Sequence, residues 1–514
     1  MKISMIKVIA LTTLMLFLSG AHATATFSFS ETQEATTPTV VVFVSDPQAL
    51  SSMASTLDTQ SNGALTALLS HNKFDAKLGS TLHLQMLAGV QDILVVGVAS
   101  ADALDAATLQ NIGGSIAGAL KSTTTDVKAS IFVENVNSDS DFAAAHIAYG
   151  YDLRHYSFDK YKTVKHDGKS TVALISDNAS ANKDLYEGDL QYLADGVHLT
   201  RDIASEPGKS MYPVEFVERV SAMFKGVKNV NIDVLDVADM ERLNMGALLG
   251  VGQGSIHEPR MLVINYKGGN KSDAPIALAG KGITFDTGGI SLKGNENMWQ
   301  MKSDLAGAAA VAGTLYAVAK RGETVNLVGL MPLAENMPAE DAIRPGDVLN
   351  TMQGTSIEII STDAEGRLVL SDAVYYAQKT FEPKMLLNIA TLTGSAARAL
   401  SDEYAAVITR DFSLSTQMMA IGKKTGEDVW PLPLHPNHYK QIHSDIADIK
   451  NSGAGNPGAS VAAAVIGTFV ADDLPWVHLD IAGVDWLSDS IDTAPKGSQG
   501  WGVRFMDQLV RDNK

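Results

Sequence analysis

The chain has 514 residues and a mass of 54.5 kDa, which allows about two to four domains at roughly 150 residues each. Hydrophobic residues make up 45% and charged residues 19%, an ordinary globular composition that excludes collagen-like, coiled-coil and disordered chains. With 40 Lys+Arg against 58 Asp+Glu the net charge is −18, which argues against bulk binding to phosphate backbones, and the absence of Cys excludes disulfides, thiolate metal sites and cysteine nucleophiles.

In chain order, the first pattern is a targeting segment. Lys2 and Lys7 precede an apolar run from Val8 to Leu18, and Ala21-His22-Ala23 follows as a small-x-small sequence. This reads as a secretory signal peptide over 1–23, cleaved after Ala23, and predicts export to the periplasm or beyond. The apolar run is short for a membrane span, so no membrane attachment is expected after cleavage. Residues 24–37 are rich in Thr, Ser and Glu and are expected to form a flexible leader, with 24–26 disordered.

An N-terminal α/β domain is expected over 38–183. Apolar runs at 40–44, 93–98, 129–133 and 172–175 read as buried strands, with a helix over 106–120. The polar stretch 177–187 reads as a linker. A larger α/β domain is expected over 184–514. Its strands are predicted at 276–279, 325–330, 357–360, 385–390, 405–408 and 477–481, and its helices from about 190 to 206 and over 305–320, 368–379 and 461–470. Such alternation predicts βαβ units on a mainly parallel or mixed central sheet.

Several standard sites are missing. There is no Gly-x-Ser-x-Gly elbow, no His-Glu-x-x-His and no Walker A motif. Gly250-Val251-Gly252-Gln253-Gly254 lacks a third spaced glycine and reads as a turn. His435, His438 and His443 lie among Pro431, Pro433 and Pro436 without a suitably spaced acid, and read as loop histidines.

The chemistry gathers elsewhere. Gly280-Lys281-Gly282-Ile283-Thr284-Phe285-Asp286-Thr287-Gly288-Gly289-Ile290-Ser291-Leu292-Lys293 directly follows the predicted strand 276–279. The carboxyl ends of strands are where open α/β sheets bind ligands. Asp304 opens the next helix, where an acid either caps the helix or faces the same crevice. Ser361-Thr362-Asp363-Ala364-Glu365-Gly366-Arg367 follows the strand 357–360. If the extended backbone continues, 363, 365 and 367 share one face. Four carboxylates without His or Cys suit hard divalent cations such as Mg, Mn or Zn, and paired carboxylates suit a two-metal site. A lysine joins such a site as a ligand only when neutral.

These segments, with Met301-Lys302-Ser303-Asp304 and Ala390-Thr391-Leu392-Thr393-Gly394, resemble the leucyl aminopeptidase family of two-metal exopeptidases. Glu206-Pro207 and His478-Leu479-Asp480-Ile481-Ala482-Gly483 are weaker matches, and the resemblance covers about 190–514. It implies that Lys281, Asp286, Asp304 and Glu365 hold the tighter metal. Asp286, Asp363 and Glu365 would hold the more exchangeable one. It also implies that Lys293 stabilises the tetrahedral intermediate and that Arg367 holds a bicarbonate acting as general base. Met301, Thr391 and Gly394 would line the pocket for the first side chain, and the backbone near Leu392 would contact substrate. The activity implied is release of Leu, Met or another apolar residue from peptide N-termini, by a homohexamer. Zn or Mn is the implied metal pair, with Mg also compatible. Two positions depart from the family pattern: Ser361 stands where Asn is usual, and Asn388 where Asp is usual. The rival readings are a two-metal phosphoesterase, which would want more His or Arg for phosphate, and a non-catalytic peptide- or DNA-binding relative.

Overall fold

The computed structural model of the protein describes residues 25–32, 37–121, 126–138, 140–164, 168–453 and 458–514. The expected signal peptide and its cleavage point lie outside the described residues. No helix among the described residues is long and apolar enough to cross a membrane.

The N-terminal unit is a six-stranded sheet in the order Ala25–Ser30, Ser170–Ile175, Val127–Phe132, Thr39–Val44, Val90–Gly97, Thr81–Leu87. All pairs are parallel except the last. Thr39–Val44 is buried along its whole length, as an interior parallel strand must be when helices cover both faces. Val41 and Phe43 meet the helices Ala106–Lys121 and Ala143–His155, while Val40 and Val42 meet Ser52–Gln60 and Ala64–His71.

Two expectations fail in this half. The flexible leader is in part an edge strand: Ala25–Ser30 pairs in register with Ser170–Ile175. Its anchor is Phe27, whose ring meets Tyr151 and Tyr186 edge-on at centroid distances of 5.8 and 5.0 Å. The polar linker is also ordered. Ala179–Leu185 is a helix that passes through one wide turn, Tyr186–Leu190, into Gln191–Ser205. Its sparse buried stripe of Ala179, Asn182, Tyr186 and Leu190 is easily missed among polar neighbours. Asn182 is fully engaged, its Oδ1 accepting from Ala145 N at 2.8 Å.

The C-terminal unit is built on a mixed sheet in the order Val429–Pro431, Ala405–Ile408, Trp476–Asp480, Met385–Ala390, Ile276–Gly280, Asn326–Asn336, Arg260–Lys267, Val230–Leu235. The four central strands, 476–480 to 326–336, run parallel, and antiparallel neighbours flank them. The predicted strand 357–360 does not join this sheet. It shortens to Ser356–Glu358 in a separate three-stranded sheet with Val348–Asn350 and Ile449–Lys450. The helix Ala306–Arg321 is sandwiched between the main sheet and Gln191–Ser205, and its Ala/Gly run permits this. A Cβ on Gly313 would lie 2.3 Å from Gly196 O, so only glycine allows the two helices to approach this closely.

Arg201 joins the two units. It is buried, and its guanidinium donates to Leu153 O in the N-terminal unit and to Gln499 O and Thr493 O, both at 3.0 Å, in the C-terminal one. Arg201→Met keeps much of the volume but leaves three carbonyls without donors. It is expected to cost about 3 kcal/mol or more, at roughly 1–3 kcal/mol for each unsatisfied group. Urea unfolding of the variant against the parent measures this.

Candidate active site

The strand that begins at Ile276 breaks at Lys281. Ile276 to Ala279 pair with both Met385–Ala390 and Asn326–Asn336, Gly280 pairs with the former only, and then Gly282–Asp286 follows the latter alone. A crevice opens where the neighbouring strands diverge, which is where open α/β sheets place ligands. The amino end of Ala306–Arg321 sits against the break, with Ala308 N donating to Lys281 O at 2.8 Å. A Cβ on Gly280 would lie 2.3 Å from Gly307 O, and one on Gly307 would lie 2.3 Å from Ile389 O. Glycine at both positions lets three backbones meet beneath the crevice.

Lys281 and Lys293 each bridge two carboxylates. Lys281 Nζ lies 2.8 Å from Asp304 Oδ2 and 2.9 Å from Glu365 Oε1, and donates to Thr391 O at 2.9 Å. Lys293 Nζ lies 2.8 Å from Asp286 Oδ2 and 2.5 Å from Asp363 Oδ1. The predicted ligands therefore do converge. Asp286, Asp363 and Glu365 each offer an oxygen within 4.8 Å of the others, the one group of three or more metal-capable side chains among the described residues. Burial and the nearby Glu365 charge push Asp286 above the usual carboxylate range, although the two lysines oppose this. Burial likewise pushes Asp304 up, against the pull of Lys281. Glu365 goes the other way, because Lys281 and Lys293 outweigh its desolvation. Burial alone would lower both lysines, but the surrounding carboxylates hold them protonated.

Divalent cations fit this donor set. Four carboxylates face two ammonium groups, and Glu365 Oε2 is buried without a hydrogen bond. Buried carboxylate oxygens with no donor are costly unless a cation meets them.

The local backbone differs from one expectation and decides between the two alternatives left open for Asp304. Residues 361–365 do not continue as a strand. They form a turn, and Glu365 stands at the N-terminal boundary of the helix Gly366–Phe381 without a side-chain capping bond. A turn followed by a helix start, not strand alternation, brings Asp363, Glu365 and Arg367 together. Asp304 does not cap the helix after it. It closes the short 3₁₀ turn Met298–Ser303 and accepts from Lys281 and from Thr391 Oγ1 at 2.7 Å.

The expected pocket residues lie alongside. Met301 is half-buried in the turn ending at Asp304. Thr391, Leu392 and Gly394 lie on the loop beyond Met385–Ala390 and the start of the helix Gly394–Leu400. That loop is pinned by a residue to which the sequence reading gave no role. Asp480 Oδ1 accepts from Leu392 N at 3.1 Å and Thr393 N at 3.3 Å, and Oδ2 accepts from Thr393 Oγ1 at 2.6 Å. Asn336 was also missed. It donates to Asp286 Oδ1 at 2.7 Å and to Thr362 O at 3.0 Å, and a polar residue ending a long apolar strand was its signal. Thr362 Oγ1 in turn accepts from Ser291 N at 2.8 Å and donates to Gly288 O at 2.5 Å. Arg367 is buried, with Nη1 donating to Asn451 O at 2.9 Å. Ser361 Oγ accepts from Asp363 N at 3.3 Å, and Asn388 lies deeper, against His478 and Trp476. The histidines 435 and 438 stand apart as caps of the helix Pro436–Gln441.

Comparison with known proteins agrees with this geometry. The catalytic-domain model of the cytosol aminopeptidase family matches residues 198–506, and the family's N-terminal domain model matches 41–165. A probable cytosol aminopeptidase of Xanthobacter autotrophicus is 39% identical over 495 residues, covering 95% of this chain and 98% of that protein. One from Rickettsia bellii is 38% identical over 500 residues, covering 95% and 99%. Among solved structures, a mutant of tomato leucine aminopeptidase superposes with a TM-score of 0.84 at 25% identity, covering 96% of this chain and 98% of that one. The bottromycin maturation enzyme BotP in complex with Mn gives 0.82 at 27% identity, covering 93% and 99%. With both family domains matched in order and the carboxylates and lysines assembled at one sheet end, the chain belongs to the cytosol aminopeptidase family and is a metal-dependent aminopeptidase.

Proposed function

We propose that this chain releases Leu, Met or another apolar residue from peptide N-termini, using two divalent cations held by Lys281, Asp286, Asp304, Asp363 and Glu365. The observation that carries this reading is the convergence of Asp286, Asp363 and Glu365, with one Glu365 oxygen buried and lacking a donor. Bound there, the cations would polarise the scissile carbonyl and lower the pKa of the attacking water. Glu365 shares Lys281 with Asp304, Asp286 shares Lys293 with Asp363, and these two acids would be the ligands common to both cations. Lys281 becomes a ligand only by losing its proton, which the carboxylates otherwise hold in place. Lys293 keeps its charge and faces the negative oxygen that develops in the tetrahedral intermediate. Arg367 brings a buried guanidinium whose Nε has no acceptor. A bicarbonate held there would take the proton from the attacking water. Met301, Thr391 and Gly394 supply the wall for an apolar first side chain, and Leu392, fixed through Asp480, presents its backbone to the substrate.

Mn is supported by the Mn complex of the similar BotP, and Zn suits the same donors. A homohexamer is proposed from the family resemblance. Export with cleavage after Ala23 is proposed from the charge, apolar run and small-x-small pattern of 1–23. N-terminal sequencing of protein from the native host is expected to begin at Thr24, and an intact Met1 in the cytosol would refute it.

Two substitutions test the site. Asp286→Ala or Glu365→Ala is expected to abolish release of leucine from a peptide and to lower metal stoichiometry below two per chain by elemental analysis. Near-full activity with two metals bound would refute the bridging assignment. Lys293→Ala is expected to lose about 10²–10³ in kcat, the scale seen for removing one transition-state donor, with normal metal content. Loss of metal would instead make Lys293 a ligand.

A further inference from the structure

The turn that carries Asp363 is held by a side chain standing where a strand would. The strand Ser356–Glu358 runs parallel to Ile449–Lys450, and Asn451 N extends that pairing by donating to Glu358 O at 3.0 Å. The two chains then separate, and Ile359 N donates instead to Asp347 O at 2.9 Å. The next four backbone groups meet Asn451. Its Oδ1 accepts from Ile360 N at 2.8 Å and from Ser361 N at 3.4 Å. Its Nδ2 donates to Ser361 O at 2.7 Å and to Ala364 O at 3.4 Å. Asn451 is completely buried.

An amide side chain suits this place chemically. It offers an acceptor oxygen and two donor hydrogens, as a peptide unit offers both kinds, so Asn451 continues the ladder after its own strand has ended. Its orientation follows from its partners, because the oxygen faces two N–H groups and the nitrogen faces two carbonyls. The main chain of the same residue has a further partner: Asn451 O accepts from Arg367 Nη1 at 2.9 Å. One buried residue thus grips the turn before Glu365 and the helix start after it. The turn has a second anchor in Thr362, which is bonded to Gly288 and Ser291, and through Asn336 to Asp286. Asp363 lies next to both anchors with a side chain that is 37% exposed and ion-paired to Lys293. Its aim is therefore set by the backbone that carries it.

We propose that Asn451 is a positioning residue for the more exchangeable cation: it fixes the turn 360–364 so that Asp363 and Glu365 present their oxygens to one point, and it holds Arg367 at the same anchor. This rests on the reading of Asp286, Asp363 and Glu365 as the ligands of that cation. The tighter cation depends less on Asn451. Its ligands Lys281, Asp286 and Asp304 stand on other segments, whereas the hydrogen bonds of Asn451 go to Glu358, Ile360, Ser361, Ala364 and Arg367. Asn451→Asp keeps the size and the acceptor but turns an oxygen toward Ser361 O and Ala364 O, which repels the turn from its anchor. Asn451→Ser removes most of the amide.

Manganese chloride titrated calorimetrically into the metal-free full-length protein tests this without reference to turnover. The parent is expected to bind two Mn per chain with unequal affinity. In Asn451→Asp and Asn451→Ser the weaker site is expected to lose about 10–100-fold in affinity, the scale for removing a group that orients a metal ligand, while the tighter site changes by less than about threefold. A residue that only supported the fold would lower the unfolding midpoint without separating the two sites. Should neither variant fold, hydrogen exchange of the metal-free parent decides, read residue by residue by mass spectrometry. Slow exchange of the Ile360 and Ser361 amides supports the anchor. Fast exchange of both, equal weakening of both Mn sites, or parent-like affinity at the weaker site overturns the proposal. Asp363→Ala separates this failure from that of the metal reading. If it too binds two Mn like the parent, the ligand assignment itself falls. If it alone loses the weaker Mn, that assignment stands and the role of Asn451 is refuted.

Discussion

Four carboxylates and two lysine ammonium groups crowd together, with Lys281, Asp286, Asp304 and Glu365 buried and the Lys293–Asp363 pair at the more open side, and most of the surrounding structure serves to make that arrangement tolerable. Each ammonium bridges two acids, so removing either would leave like charges facing one another in a low-dielectric setting. Some of the remaining lone pairs are met from the frame. Gly288 N and Asn336 Nδ2 donate to Asp286, and Thr391 Oγ1 donates to Asp304. These donors come from several segments far apart in the chain, so the charged cluster can exist only when the C-terminal unit is fully assembled.

The fold solves the crowding at this point with small residues. The break at Lys281 is overlain by the start of an Ala/Gly helix, and that helix is itself pressed against another one. Close backbone approach is what lets a lysine rise from a strand end into a buried crevice with its stem packed and its charged tip among acids. The same economy appears between the two units, where Arg201 satisfies three carbonyls from different segments.

Much of this was legible in the amino-acid sequence, and the exceptions have physical reasons. The continuous apolar strands Thr39–Val44 and Met385–Ala390 and the glycine-flanked charges from Lys281 to Lys293 stand out, because burial on both faces and tight turns leave strong compositional traces. The charged residues Asp363, Glu365 and Arg367 were found for a partly wrong reason: they share a turn and helix start, and strand periodicity does not describe them. Asn336 stayed silent, and Asp480, Asn388 and His478 were noted only through the family resemblance and without a role, because a single polar residue at a strand end or interior reads the same whether it holds a ligand loop or merely terminates pairing. The segments 25–30 and 179–190 were misread because short stripes of Phe, Ala and Tyr are outnumbered by polar neighbours, and tertiary packing overrides such local averages.

The first strand has a kinetic consequence. Ala25–Ser30 pairs only with Ser170–Ile175, and the side-chain bond from Thr26 to Ser170 spans 144 positions. A ribosome emits residue 25 long before it emits residue 170, so this edge has nothing to dock on while most of its domain is being made. Closing so long a loop is slow as well as late. This edge of the sheet is thereby left unpaired until its distant partner has been made, and it is the last part of the sheet to close.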